Sequence, residues 1–221
     1  MYDFTHGEFG ENITRVENLI EAYNELEANK IGDIQLRKDV LRASIVFMHS
    51  SLEEVVRNLF LLRLPNGNTK NLNKIPFAGH ETTHRPKEIL LGNLKAFSGM
   101  LVDNIILRSI NEYVDTMSIN GSNQLAECLE IADVQIVPLR KYFTSLDSLM
   151  KRRHQIVHQM DRANSLDPLL DPITNIDIEC VEQWKNDLCG FYRDLMIIIE
   201  NIDTSSDNAQ HEYPLQDKRR I

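Results

Sequence analysis

Apolar residues recur every three or four positions along most of this chain, the period of amphipathic helices rather than of strands. Over 11–29, Ile13, Val16, Leu19, Ile20, Tyr23 and Leu26 form one stripe. Gly32 ends that pattern, and Asp33 is placed to cap a second helix. That helix runs to about residue 64, with Leu41, Ile45, Met48, Leu52, Val56, Leu59 and Phe60 on its apolar side. Pro65-Asn66-Gly67-Asn68 stops it and polar sequence follows, so 65–86 reads as an irregular insertion. Helical spacing returns after Pro86 and again over 102–117, and a short helix carries Leu125, Leu129 and Ile131. Pro138 suits a helix start, here of a helix reaching to about residue 160. Asp167-Pro168 and Asp171-Pro172 mark an extended connection before a last helix over 176–202. The polar stretch 204–221 reads as a disordered tail. No strand alternation, internal repeat or sustained heptad interrupts the pattern, which predicts an all-α bundle.

A chain of 221 residues, 42% hydrophobic and 26% charged, fits one large globular domain that needs no disulfide or structural metal. Cys128, Cys180 and Cys189 are scattered, odd in number and without a C-x-x-C pair, so they read as buried helical cysteines. The apolar runs are too short to span a bilayer, and the first residues lack the pattern of a signal peptide, so a cytoplasmic location is expected by default. The net charge of −9 argues against a protein that coats nucleic acid along its whole surface. Between 151 and 162, however, Lys151, Arg152, Arg153 and Arg162 face a single acid, Asp161. A polyanion would have to bind there.

The same helix carries an anomaly. On a helical wheel at about 100° per residue, Leu139, Tyr142, Phe143, Leu146, Leu149, Met150, Ile156, Val157 and Met160 share a broad face with Arg153 near its middle. An arginine there is buried with a partner, aims into a cleft or interface, or snorkels from the stripe's edge. His154 and His158 are neighbours four residues apart. They could form half a metal site, although the glutamate of H-E-x-x-H is absent. They could be surface histidines without a role, or acid–base groups beside a phosphate-binding arginine.

The last alternative has a definite chemistry. Cleavage of RNA by its own 2′-hydroxyl needs a base for that hydroxyl, an acid for the departing 5′-oxygen, and positive charge against the phosphorane. Histidine, with an ordinary pKa near ~6.5, serves as base or acid at neutral pH. Arginine matches phosphate oxygens with a planar fork that keeps its charge. No metal or other cofactor is required. The R-x-x-x-x-H spacing alone is weak, since 14 arginines and 7 histidines would produce about half an instance by chance.

The surrounding residues say more. Arg152-Arg153-His154-Gln155-Ile156-Val157-His158 resembles the R-x4-6-H motif of the HEPN superfamily, and the helix containing His49-Ser50-Ser51-Leu52-Glu53-Glu54 is similar to the early helix of those domains. Together they most resemble the RiboL-PSP-type HEPN family. The resemblance implies an up-and-down bundle of four to five core helices with short extra helices, spanning 1–203. It also implies a homodimer whose motif helices face each other, and in many members a metal-independent endoribonuclease of toxin–antitoxin, antiphage or CRISPR-linked systems. The motif arginine maps to Arg153, its terminal histidine to His158, and the following polar residue to His154. Arg153 and His158 lie about 140° apart on the wheel, so two helices meeting across a dimer axis would supply one phosphate better than one helix could. Some family toxins carry a modified tyrosine two residues past the histidine; here Met160 stands there.

Lys151 and Arg152 are expected to touch phosphates, and Glu53 is the acid expected beside Arg153 if the arginine turns inward. His49, His80 and His84 receive no role. Two functions follow: an endoribonuclease acting on RNA, with a possible antitoxin or defence partner, or a catalytically inactive HEPN module that binds nucleotide, RNA or protein.

Overall fold

The computed structural model describes residues 2–79, 91–162 and 173–211, with side chains described from Gly7 to Ile202 within those stretches. Among the described residues seven α-helices follow in order: α1 (Tyr2–Ala28), α2 (Ile34–Arg63), α3 (Thr69–Leu72), α4 (Val102–Thr116), α5 (Ser122–Ile131), α6 (Arg140–Gln159) and α7 (Ile178–His211). No strand occurs among the described residues; Arg162 and Ile173 form an isolated antiparallel bridge. The fold is an all-α bundle in which α1, α2, α4, α6 and α7 are the long members.

Helix α2 is the axis of the bundle, packed by α1, α4, α6 and α7. Its stripe of Leu41, Ile45, Met48, Leu52, Val56 and Phe60 is fully buried. Burying each such side chain contributes about 1.5–3 kcal/mol, and Leu146 and Leu149 of α6 with Leu188 and Phe191 of α7 close the same core. The cap expected at Asp33 is present: its carboxylate accepts the Leu36 N–H at 2.8 Å. Gly32, at φ +68, makes the turn before it, where a Cβ would meet the Leu36 side chain at 2.4 Å. A second glycine serves close packing. At Gly190 a Cβ would lie 2.8 Å from Tyr142, so glycine lets the Tyr142 hydroxyl pass α7 and donate to Asp194 Oδ2 at 2.9 Å.

Several boundaries differ from the sequence pattern. Helix α1 begins at Tyr2 rather than near residue 11, because Phe9 is buried and stacks on Tyr192 of α7 with ring centroids 3.8 Å apart. The insertion opens with a 3-10 turn, Leu64–Asn66, and with α3, whose cap Asn68 accepts the Asn71 N–H; residues 80–90 lie outside the described residues. Pro138 falls in a 3-10 turn, Val137–Leu139, that feeds α6. Helix α7 continues to His211, so the polar stretch from Thr204 starts as helix, while 212–221 lie outside the described residues. Of the cysteines expected to be buried, Cys128 is, and burial pushes its thiol up to about 11. Cys180, however, is exposed near the start of α7. None of the described helices is long and apolar enough to cross a membrane.

Candidate active site

Helix α6 packs on α2 and α7 through Tyr142, Leu146, Leu149 and Met150, which leaves its last two turns to display the motif. The three consecutive basic residues there take three different directions. Lys151 is 74% exposed and pairs with Asp147 one turn back at 2.7 Å. Arg152 turns inward to Asp161. Arg153 is half-buried, with its Nε sealed from solvent and without a hydrogen-bond partner. Among the described residues no acid lies within ion-pair distance of Arg153. His154 and His158 are both exposed, with ring centroids 4.6 Å apart as four-residue neighbours on one face. Val157 and Met160 add exposed apolar surface beside them, at 44% and 76%.

Just past the motif the helix is stopped and anchored. Met160 and Asp161 adopt left-handed angles, φ +51 and +55, and the Asp161 N–H returns to the Gln155 carbonyl at 3.1 Å. The Asp161 side chain is 2% exposed and receives Arg42 Nε of α2 at 2.5 Å and an Arg152 terminal amine at 2.8 Å. Arg42 and Arg152 also donate to the Thr174 carbonyl, at 2.9 and 3.0 Å, and the Thr174 N–H donates to the Asp161 carbonyl at 2.7 Å. Gln155 adds bonds to the Arg162 carbonyl and the Thr174 hydroxyl. Two arginines on one aspartate would leave an excess buried charge; Asp39, 3.0 Å from Arg42 at the surface, offsets it. Arg152, expected at a phosphate, is therefore committed to holding the end of α6 against α2. Sequence reading missed Arg42 and Asp161. Arg42 lies in the apolar stripe of α2, and a charge there was the available signal.

Glu53 also departs from expectation. Its Oε1 accepts the Ile119 N–H at 3.1 Å, and its Oε2 faces His49 Nδ1 at 3.6 Å, so it is not the ion-pair partner of Arg153. His49 is fully buried and its Nε2 lies 2.8 Å from the Ile119 carbonyl. A carbonyl can only accept, so Nε2 carries a proton. Burial holds His49 below the ordinary histidine range, and Arg153 pushes the same way, against the Ile119 bond and Glu53. Arg153 thus lies near enough to His49 to disfavour its protonation, and no carboxylate pairs with Arg153 among the described residues. His49 received no role from the sequence, although it too interrupts the α2 stripe. His80 and His84 lie outside the described residues.

The structure brings Arg153, His154 and His158 to one end of α6 and separates them from Arg152 and Glu53. Among the described residues no third histidine, cysteine or carboxylate joins the histidine pair in a metal-binding group. What remains is an uncompensated guanidinium beside two accessible imidazoles, groups able to hold a phosphoryl oxygen and to exchange protons. A separate groove of about 450 Å³ between α1 and α2 is rimmed by Glu8, Glu11 and Glu54, a poor surface for a polyanion.

Comparisons with curated proteins and with solved structures gave no match. A model of the RiboL-PSP-HEPN family, in contrast, matches residues 11–201, from the first helix through α7 and across both motif segments. The chain belongs to the RiboL-PSP-HEPN family.

Proposed function

We propose that this protein is a metal-independent endoribonuclease that works as a homodimer. The observation that carries the reading is Arg153. It is the one of three adjacent basic residues with no acidic partner among the described residues, and it stands in the same two turns as His154 and His158. With α6 of two subunits facing each other, the guanidinium of Arg153 binds the non-bridging oxygens of one phosphate. His158 of one subunit removes the proton of the ribose 2′-hydroxyl, whose oxygen attacks the adjacent phosphorus. His158 of the other protonates the departing 5′-oxygen, giving a 2′,3′-cyclic phosphate and a 5′-hydroxyl. His154, in ring contact with His158, orients it. The exposed Val157 and Met160 offer the facing helix apolar contact, which supports this placement of the dimer axis.

An enzyme that cuts cellular RNA suits a toxin or antiphage effector held in check by a partner protein. The test is cleavage of bulk cellular RNA in EDTA by wild type, Arg153→Ala and His158→Ala, each checked for helicity. Either variant should lose about 10²–10⁴-fold in rate, and a 2′-deoxy substitution at a mapped cleavage position should block cutting there. Equal cutting by all three proteins would overturn the reading, as would a dimer-free wild type that still cleaves.

A further inference from the structure

Helix α6 differs from its neighbours on the side that faces solvent. The chain carries 33 acidic side chains against 24 lysines and arginines, and its ordinary solvated face is acidic. Helix α1 exposes Glu11, Glu17, Glu21, Glu25 and Glu27 against Arg15. From Arg140 to His158, in contrast, none of the exposed side chains of α6 is acidic and only Val157 is apolar. On the wheel, Arg140, Thr144, Lys151 and His158 fall within about 40° of one another and so form a line along the helix, with Val157 about 100° away. The one carboxylate of α6, Asp147, is already engaged: it takes Lys151 Nζ at 2.7 Å and the Ser122 N–H at 3.1 Å. Such an exposed pair holds its lysine only weakly, so a phosphate can take it over. Arg140, at the far end of the line, makes no side-chain hydrogen bond or ion pair among the described residues. It stands in the first turn of α6, which holds no acid. The partial positive charge of a helix start disfavours a cation there, so nothing in the protein itself accounts for an arginine at this position.

Arg140 and His158 are 18 residues apart, about 27 Å at 1.5 Å per residue. The line between them offers cations and hydroxyls without an apolar anchor. A protein partner needs an apolar centre of contact, whereas the phosphates of a strand need only charge and hydrogen bonds. We infer that this face of α6 is a track for the backbone of one RNA strand, running from the reacting phosphate at His158 to an outer phosphate at Arg140. That the strand is RNA rests on the ribonuclease reading above. Phosphate contacts position a strand without reading its bases, so the track holds the RNA that flanks the cut whatever its sequence.

The test measures, by fluorescence anisotropy, how full-length protein binds 2′-O-methyl oligoribonucleotides, which keep the phosphates and lack the attacking hydroxyl. One oligonucleotide is all adenine and the other all uracil. Arg140→Glu should weaken both by about tenfold or more, and Arg140→Gln should reduce the slope of log affinity against log salt by about 0.7. Glutamate suits the first turn of a helix, so R140E should unfold no earlier than wild type; if it does not fold, R140Q carries the affinity comparison. Arg15→Glu makes the same change of net charge on α1, off the track, and should leave affinity within about twofold. Equal losses in R15E and R140E would mean repulsion by net charge and overturn the inference. So would unchanged affinity in R140E, a loss confined to one of the two sequences, or no binding of either. Polyglutamate that displaces the RNA as well, charge for charge, would assign the face to an acidic protein segment instead. Cleavage of unmodified RNA is followed separately. Binding that R140E weakens, without any cleavage, removes the ribonuclease and leaves the track, whereas cleavage with affinity unchanged in R140E does the reverse.

Discussion

Arg152 and Arg153 are adjacent on one helix, yet they belong to two different kinds of polar site. Arg152 enters an ion-paired cluster in which Asp161 receives two arginines and the Thr174 carbonyl receives both again, although Arg152 Nε and Asp161 Oδ1 are left without a partner. Arg153 has a sealed Nε and, unlike Arg152, no ion pair or hydrogen bond among the described residues. A paired buried charge holds structure, because removing any member leaves the others uncompensated. An unpaired one near the surface is available for a ligand, at some cost to the unliganded protein. The comparison sorts charges by whether their partners are already present, where residue type and position alone do not.

The strongest way to break that comparison is to exchange the two effects. Arg153→Ala should lower RNA cleavage by about 10²–10⁴-fold while moving stability by about 1 kcal/mol or less. Asp161→Ala should do the opposite in urea denaturation, costing about 3–5 kcal/mol by stranding Arg42 and Arg152. An Asp161→Ala protein of wild-type stability would mean that the cluster is no anchor. A smaller effect is expected from pH. The unfolded His49 takes up a proton near ~6.5, whereas the folded imidazole does so only at lower pH because it is buried. Its contribution to stability is therefore present above ~6.5 and is lost as pH falls toward the folded value. Urea midpoints at pH 7.5 and 5.5 should differ more for wild type than for His49→Gln; an equal drop would assign the loss to other groups. The smallest change is expected at Lys151→Ala, which breaks only an exposed pair with Asp147 and should alter stability by about 0.5 kcal/mol or less.

The helices were legible because each buries one stripe, and the 3.6-residue period records that burial directly. Asp33 and Pro138 announced starts through local backbone chemistry, which needs no tertiary information. The start of α1 was not legible. Gly7 and Gly10 weaken the local pattern, and the turn is held by Phe9 against Tyr192, a contact across the bundle. In the candidate site, Arg153 stood out because a charge interrupted an apolar face. Arg42 and His49 sent the same signal from α2, seven residues apart and hence on one face. Their partners did not, because Asp161 is 119 residues from Arg42 and Ile119 is 70 from His49. The error at Glu53 has the same origin: its true partners are the Ile119 amide, on the segment before α5, and a histidine of its own helix.

The left-handed stop at Met160 and Asp161 bears on how chains of this kind can change length. A helix that frays into solvent absorbs an extra residue by sliding its end outward. Here the end is tied to Arg42 on another helix, so the step from Arg153 to Asp161 has a fixed length. One residue inserted between Arg153 and His158 would turn the histidine by about 100°, or else pull Asp161 from its cluster. In this chain the spacing from Arg153 to His158 is thereby coupled to a salt bridge formed outside that interval.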